Sequence, residues 1–570
     1  MPAKKNRKKV EKLQKSWFKH WPKSVPKNLK YPKVPLFNFL EKTAEKYPNN
    51  VAITYFDKKI TYKELNLAAD SFAAALHDFG VKKGEKVALF LPNIPQFIIS
   101  YYGAIKLGAI TTCISPLYKE REVKHQLCDS KAQTLVALDL LYPIVEKTWK
   151  TTSLKRVIVA NLKEYIPKSK AILGSLFKKI PSRKIKRSSH VHLFHHLLNK
   201  YEPNPPKVAI KPEEDLVTLQ YTGGTTGTAK GAMLTHMNLV SNALMCAAWL
   251  GSAEGKETFL VVLPLFHIYG LTTGMNAPIY LAGKMVMLPR FDSVSTLKAI
   301  QEHRVTVFCG APTIYSMLVN KPNLNKYDCT SVRFCISGSA PLSPEVQKKF
   351  MEVTGGVLVE GYGLTEASPV THCNPLDRTM KTVKVGSIGL PWPDTDAKIV
   401  DVKTGKRELE TGEIGEVVVK GPQVMKGYWR MPEETTTVLK GEWLYTGDVG
   451  KMDEDGYFYV TDRKKDLIKY KGYSVYPREL EDTLYEHPAV KLCGVVGKPD
   501  SVAGEIPKAF VVLREGTSAT KKEIVDFVNE RVASYKAIRE VEFRTELPMT
   551  LVGKVLKREL REEEMKPAET

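Results

Sequence analysis

The sequence predicts an α/β protein with a large multi-layer α/β domain followed by a smaller α+β domain. Three observations carry this. At 570 residues the chain is too long for one core, because single cores stop growing at about 250–300 residues. Short β-branched runs, "EKVALFLPN" from Glu85, "LVALD" from Leu135 and "RVIVA" from Arg156, alternate with helix-like stretches such as "IPQFIISYYGAIKLG" from Ile94. Alternation of this kind builds sheets covered by helices. Beyond Asp462, "VKLCGVVG", "PKAFVVL" and "KKEIVDFVNERV" form a last unit of roughly 100 residues, near the usual domain size.

In chain order, residues 1–35 read as a basic arm outside the fold, 36–461 as the large domain, and 462–570 as the small one. The large domain opens with the helical spacing and strand of "LFNFLEKTAEKYPNNVAITY". Within it, residues 161–201 form a basic amphipathic insertion in which Ile172, Leu173, Leu176, Phe177 and Ile180 share one helical face, with Lys170, Lys178 and Lys179 toward the other. Such a face suits either an anionic membrane surface or the protein's own body. His190, His192, His195 and His196 read as a polar helix face, since no carboxylate or cysteine accompanies them in sequence.

Composition narrows the function classes. Hydrophobic residues at 43% and charged residues at 26% exclude a disordered or fibrous chain. The net charge of +23 favours an anionic partner, but much of it sits in the arm and in "KSKAILGSLFKKIPSRKIKR". With no nucleic-acid motif present, a nucleic acid is not the expected partner. Eight cysteines without C-x-x-C spacing, and an N-terminus lacking the apolar core of a signal peptide, point to the cytoplasm. The uncharged stretch Thr258–Gly283 could cover a bilayer by length, yet Pro264, His267, Gly270, Gly274, Asn276 and Pro278 break it into strand, turn and buried helix. Nothing in the sequence fixes the oligomeric state, so a homodimer stays open.

The segment "YTGGTTGTAKG" from Tyr221 is the sharpest chemical signal. Gly223, Gly224 and Gly227 let successive backbone N–H groups converge on one anion. Thr222, Thr225, Thr226 and Thr228 add hydroxyls, and Lys230 adds full charge, so the expected ligand is a phosphate. A Walker A loop would place Gly before the lysine and Ser or Thr after it; here Ala229 and Gly231 flank Lys230.

That loop is followed in order by "SGSAPLS" at Ser337, "GYGLTEAS" at Gly361, "YTGD" at Tyr445, "DRKKDLIKYKGY" at Asp462 and "LVGKVLKREL" at Leu551. The ordered set resembles the acyl-adenylate-forming ligases, and "LQYTGGTTGTAKGAMLTH" with "LPLFHIYGLT" looks most similar to their long-chain fatty acid CoA ligases. The resemblance implies two α/β sheets plus a small barrel-like part, with a mobile C-terminal domain. It also implies ligation of a fatty acid to coenzyme A at the expense of ATP, with Mg²⁺ as cofactor and an acyl-adenylate intermediate. An aryl or short-chain acid ligase, or an enzyme loading a carrier protein, is the rival.

By the same resemblance, each motif has a role. Ser339, Ala340 and Pro341 wall the adenine pocket, Tyr362 stacks on adenine, Gly338 and Gly361 belong to the same nucleotide-binding set, Thr365 meets the α-phosphate or carboxylate, and Glu366, with Thr222, holds Mg²⁺. Asp448 takes the ribose hydroxyls, with Arg463 beside it. Lys554 offsets the repulsion between two anions during adenylation. Asp462 marks the hinge of the small domain, with Lys465, Lys469 and Gly472 serving the second step. His267 and Tyr269 stand at the acyl-pocket entrance; Leu271 occupies the position near which some long-chain enzymes carry a gating tryptophan. The basic arm and insertion would bring the enzyme peripherally to the inner face of the cell membrane, where fatty acids partition.

Overall fold

The computed structural model describes residues 16–167, 181–222, 229–471, 473–500, 502–549 and 555–565. Two mixed sheets form the large domain. The first has seven strands in the spatial order Val191–Leu193, Arg156–Ala160, Thr134–Leu138, Lys86–Phe90, Ile110–Cys113, Leu216–Thr222 and Lys230–Thr235. All neighbours are parallel except the last pair, an antiparallel hairpin in which Thr222 faces Lys230. The "VALF", "LVAL" and "VIVA" runs are apolar at successive positions because helices cover the sheet on both faces.

The second sheet has nine strands, with Thr258–Val261, Val307–Gly310, Phe334–Ser337 and Val357–Gly363 parallel at its centre. Its elements meet the hairpin through helix His236–Leu250, which starts directly after strand Lys230–Thr235. Thr235 and Asn238 form the capping box that stops the strand and begins the helix, and Gly251 in the left-handed region ends it. A third, five-stranded antiparallel sheet includes Gly415–Lys420, Trp443–Met452 and Phe458–Arg463.

The small domain carries its own five-stranded sheet around Val490–Asp500 and Gly504–Leu513, with helices Pro477–Tyr485 and Lys521–Asn529 packed on it. Its first strand is Ile468–Tyr470. Asp462 still belongs to the third sheet, paired with Val449, so the chain leaves the large domain a few residues beyond the sequence-based boundary.

Three expectations are corrected. Residues 16–35 are not outside the fold: Trp17 and Val25 are buried, and Leu29 N–H and Tyr31 Oη both donate to the Asp394 carboxylate at 2.8 Å. The density of lysines conceals this inward-facing set. Residues 161–201 are not wholly an insertion, since Val191–Leu193 is an edge strand of the first sheet, parallel to Arg156–Ala160; the apolar face from Ile172 to Ile180 lies outside the described residues. Nor do the histidines share a helix face without acid. His192 is in that edge strand, while His195, in helix Phe194–Lys200, has its Nδ1 3.1 Å from Glu164. The stretch Thr258–Gly283 is a strand followed by short helical segments, and among the described residues no helix is long and apolar enough to cross a membrane.

Candidate adenylate-forming site

The ends of three strands bring the predicted residues together. Strand Val357–Gly363 carries Gly361 and Tyr362, and a single turn, Thr365–Ala367, follows with Thr365 and Glu366. Gly361 is required by close packing: a Cβ there would lie 2.8 Å from Ile336 Cγ2. The turn after strand Phe334–Ser337 supplies Gly338, Ser339 and Ala340. Ser339 sits at φ +74°, and a Cβ on Gly338 would come within 3.1 Å of the Tyr269 ring.

Tyr362, Asp448 and Arg463 form one connected group. Tyr362 Oη donates to Asp448 Oδ2 at 2.5 Å, and Arg463 Nε lies 2.8 Å from Asp448 Oδ1. The two charged residues face one another across the pairing of Trp443–Met452 with Phe458–Arg463, so sheet register sets their separation. The Asp448 N–H donates to Thr446 Oγ1 at 3.1 Å, and Thr446 donates onward to the Val417 carbonyl. Asp448 holds the Arg463 guanidinium well above its ordinary range, whereas burial and then Asp448 push the Tyr362 phenol upward. His372 packs edge-on behind the Tyr362 ring at 5.9 Å.

A second group surrounds the hairpin. Lys230 Nζ pairs with Glu434 and lies 5.4 Å from the Tyr428 ring centroid. Tyr428 Oη donates to Glu366 Oε1 at 2.6 Å. Backbone contacts fix this arrangement, because the Trp429 N–H donates to Gly231 O and the Met233 N–H to Gly427 O, each at 2.8 Å. Thr222 Oγ1 points at the Lys230 carbonyl, 3.5 Å away. Thr222 and Lys230 thus flank the ends of the glycine-threonine loop, whose Gly223, Gly224, Thr225, Thr226 and Gly227 lie outside the described residues.

The remaining predicted residues are distributed differently. His267 caps helix Ile268–Leu271, its Nδ1 accepting the Tyr269 N–H at 3.2 Å; burial lowers its pKa to about 4, so the ring is neutral near pH 7. Tyr269 is buried and donates to the Ile336 carbonyl at 2.9 Å. Tyr269 therefore stands behind the Gly338 turn, with His267 capping the helix that carries it. Asp462 accepts N–H bonds from Arg463 and Arg478, each at 2.7 Å, and so ties the last strand of the large domain to the first helix of the small one. Lys465 and Lys469 are exposed at the start of the small domain. Lys554 and Gly472 lie outside the described residues.

Sequence reasoning missed Tyr428, Glu434 and Glu416. Glu416 is buried, accepts the Gly447 N–H at 3.1 Å and pairs with Lys464 at 2.9 Å, fixing the turn that presents Asp448. "KGYWR" carries the one available signal for Tyr428, a paired aromatic after a glycine. Its partner Glu366 is 62 positions away, however, and such pairing appears only in three dimensions.

The oxygen donors Glu366 and Thr222 match the hard chemistry of Mg²⁺. Among the described residues no cluster of three or more His, Cys, Asp or Glu is placed to hold a metal alone. Mg²⁺ on these two donors would complete its coordination with substrate phosphates and water, its usual habit.

The family model described as AMP-binding enzyme matches residues 40–429, and that described as AMP-binding enzyme C-terminal domain matches residues 479–554. A long-chain-fatty-acid–CoA ligase of Bacillus subtilis (strain 168) is 46% identical over 97% of this chain and 98% of its own. One from Escherichia coli O157:H7 is 36% identical over the same shares. The ATP-bound crystal structure of MatB from Rhodopseudomonas palustris, 29% identical, superposes with a TM-score of 0.81 over 93% of this chain and 99% of that one. With the fold, the ordered motifs and the strand-end geometry already in agreement, these matches show that the chain belongs to the AMP-binding enzyme family.

Proposed function

We propose that this protein ligates a long-chain fatty acid to coenzyme A in two steps at one site. The acid's carboxylate attacks the α-phosphorus of ATP, forming an acyl-adenylate and releasing pyrophosphate; the coenzyme A thiolate then attacks the acyl carbonyl and AMP leaves. The observation that carries the reading is the Tyr362–Asp448–Arg463 group beside the Lys230–Tyr428–Glu366 group. One provides an aromatic face with a buried carboxylate for a nucleoside. The other provides a cation and an oxygen donor next to a phosphate-type loop.

Asp448 would accept hydrogen bonds from the ribose hydroxyls, with Arg463 holding its charge in place. Glu366 and Thr222 would hold Mg²⁺, which supplies charge neutralisation for the phosphates. Thr365 would contact the α-phosphate or the carboxylate, and Gly338 to Ala340 would line the adenine. Lys554 would neutralise the approach of two anions, a role preorganised cations serve well where water is scarce. The small domain would then turn about Asp462, bringing Lys465, Lys469 and Gly472 to coenzyme A. A fatty rather than an aryl acid is supported by the names of the relatives at 46% and 36% identity. A peripheral membrane role draws on the exposed Lys19, Lys23, Lys27, Lys30 and Lys33; loss of anionic-vesicle binding on replacing these five lysines by glutamine and deleting residues 168–187 tests it.

The deciding experiment separates the two half-reactions. Lys554→Ala is expected to slow pyrophosphate–ATP exchange by about 10²–10³ while leaving thioester formation from supplied acyl-adenylate largely intact. Wild-type exchange should rise with fatty acids in preference to acetate or aromatic acids. Undiminished exchange in the variant would remove Lys554 from the reaction, and exchange with aromatic acids alone would overturn the substrate assignment.

A further inference from the structure

Residues 16–35 lie across the large domain as a strap. Its outer side carries the exposed Lys19, Lys23, Lys27, Lys30 and Lys33. Its inner side is aromatic. Trp21, whose Nε1 donates to the Val25 carbonyl at 2.7 Å, stands edge-on to Trp249 with ring centroids 5.4 Å apart. Trp249 is fixed by its own Nε1 donating to Asn374 O at 3.1 Å, and it stacks on Trp392 at 5.8 Å and 27°. The strap is fastened beside this column by the two bonds to Asp394 and by His20, 3.1 Å from Asp455.

Trp392 is one wall of an apolar cavity of about 10 Å³, barely room for one water. Leu250, Phe259, Thr273 and Cys309 line it, as does Ile336, the residue packed under Gly361 and bonded through its carbonyl to Tyr269. The cavity thus touches the floor of the nucleotide site on one side and the tryptophan column on the other. Thr273 belongs to Thr272–Asn276, a π-helical turn, a distortion that concentrates at functional sites and gives one wall room to shift. Trp392 Nε1 is buried with no hydrogen-bond partner among the described residues. That is a cost which an aliphatic filler would not carry, so breadth is what the ring contributes.

We propose that Trp392, backed by Trp249 and by Trp21 of the strap, is the distal stop against which the acyl chain is measured. The inference rests on the fatty-acid reading above and names its specificity-determining residues. In this proposal an apolar chain entering past Ile336 widens the one-water cavity, parting helix His236–Leu250 from the central strands at the π-helical turn, until it meets the indole. Its length limit is then set by a ring that the strap holds in place from outside.

The test uses the full chain and its Trp392→Leu, Trp21→Ala and Asp394→Gly variants, in pyrophosphate–ATP exchange with saturated acids from octanoate to arachidate. Trp392→Leu and Trp21→Ala are expected to move the optimum to longer acids, with about a fourfold gain in kcat/KM for each methylene newly accommodated and an unchanged KM for ATP. Asp394→Gly, which removes the one oxygen that both strap donors share and suits the φ of +56° there, should relax the same limit less. An unchanged length profile in folded Trp392→Leu overturns the proposal, as does a uniform loss across all acids, the signature of plain destabilisation. Where Trp392→Leu fails to fold, the profile of Trp21→Ala decides in the same terms. Failure of the wild type to exchange with any acid of the series would instead sink the fatty-acid reading itself.

Discussion

Replacing Asp448 by asparagine keeps the side chain's shape and removes its charge. In the wild type one carboxylate oxygen accepts from Tyr362 and the other meets the Arg463 guanidinium. An amide supplies a single acceptor oxygen, so in either orientation its NH₂ confronts one of these two donors. A hydrogen bond to a charged group is worth about 1.5–3 kcal/mol. Arg463 remains 36% exposed, so solvent recovers part of its loss and the cost in stability should be about 1–2 kcal/mol. The larger effect falls on nucleotide binding, where the proposed ribose contacts and the orientation of Tyr362 weaken together. About 3 kcal/mol lost there corresponds to roughly a 10²-fold fall in kcat/KM for ATP. Pyrophosphate–ATP exchange at saturating acid, titrated in ATP beside a thermal unfolding scan, measures both. A folded variant with a KM for ATP within about twofold of wild type, a difference below half a kcal/mol, would refute the reasoning, as would a loss confined to the coenzyme A step.

Two further outcomes follow from the same geometry. Burial raises the Glu360 carboxyl from its ordinary 4.5 to about 7. The folded state then holds a proton that the unfolded state releases, so this contribution to stability is whole below about 4.5 and is lost as pH rises through about 7. Glu360→Gln cannot ionise and should gain in melting temperature relative to wild type toward pH 8, a comparison that parallel scans across pH would make. Tyr428→Phe removes the donor that fixes Glu366; the Mg²⁺ concentration for half-maximal exchange should rise by about tenfold, in line with a charge-assisted bond, and a metal titration reads it directly.

Legibility in the sequence follows from how the chemistry is distributed along the chain. Phosphate and nucleoside recognition needs glycines, hydroxyls and charge within a few residues of one another, so the segments at Thr222, Ser337, Gly361 and Tyr445 were readable as contiguous patterns. The α/β layering was readable for a similar reason: a strand buried on both faces is apolar throughout, as in "RVIVA". Glu434 was not, because its partner Lys230 is 204 positions earlier and the pairing depends on sheet edges meeting in space. The strap escaped notice because its inward residues, Trp17, Trp21 and Val25, although four apart as on a helix face, are interrupted by lysines and by Pro22 and Pro26, so that only the turn Ser16–Lys19 forms. The edge strand Val191–Leu193 is three residues long, too short for alternation to register against the surrounding basic segment.

The backbone bonds between Lys230–Thr235 and residues 426–429 have a consequence for behaviour in solution. That strand ends the seven-stranded sheet, and an uncovered strand there would offer a row of N–H and C=O groups to any other chain. The crossing segment occupies Gly231 O and both polar groups of Met233, while the opposite border of the sheet is only three residues long. Neither rim leaves a long template for intermolecular ladder growth, so a concentrated solution of the folded enzyme should resist fibril seeding from this sheet.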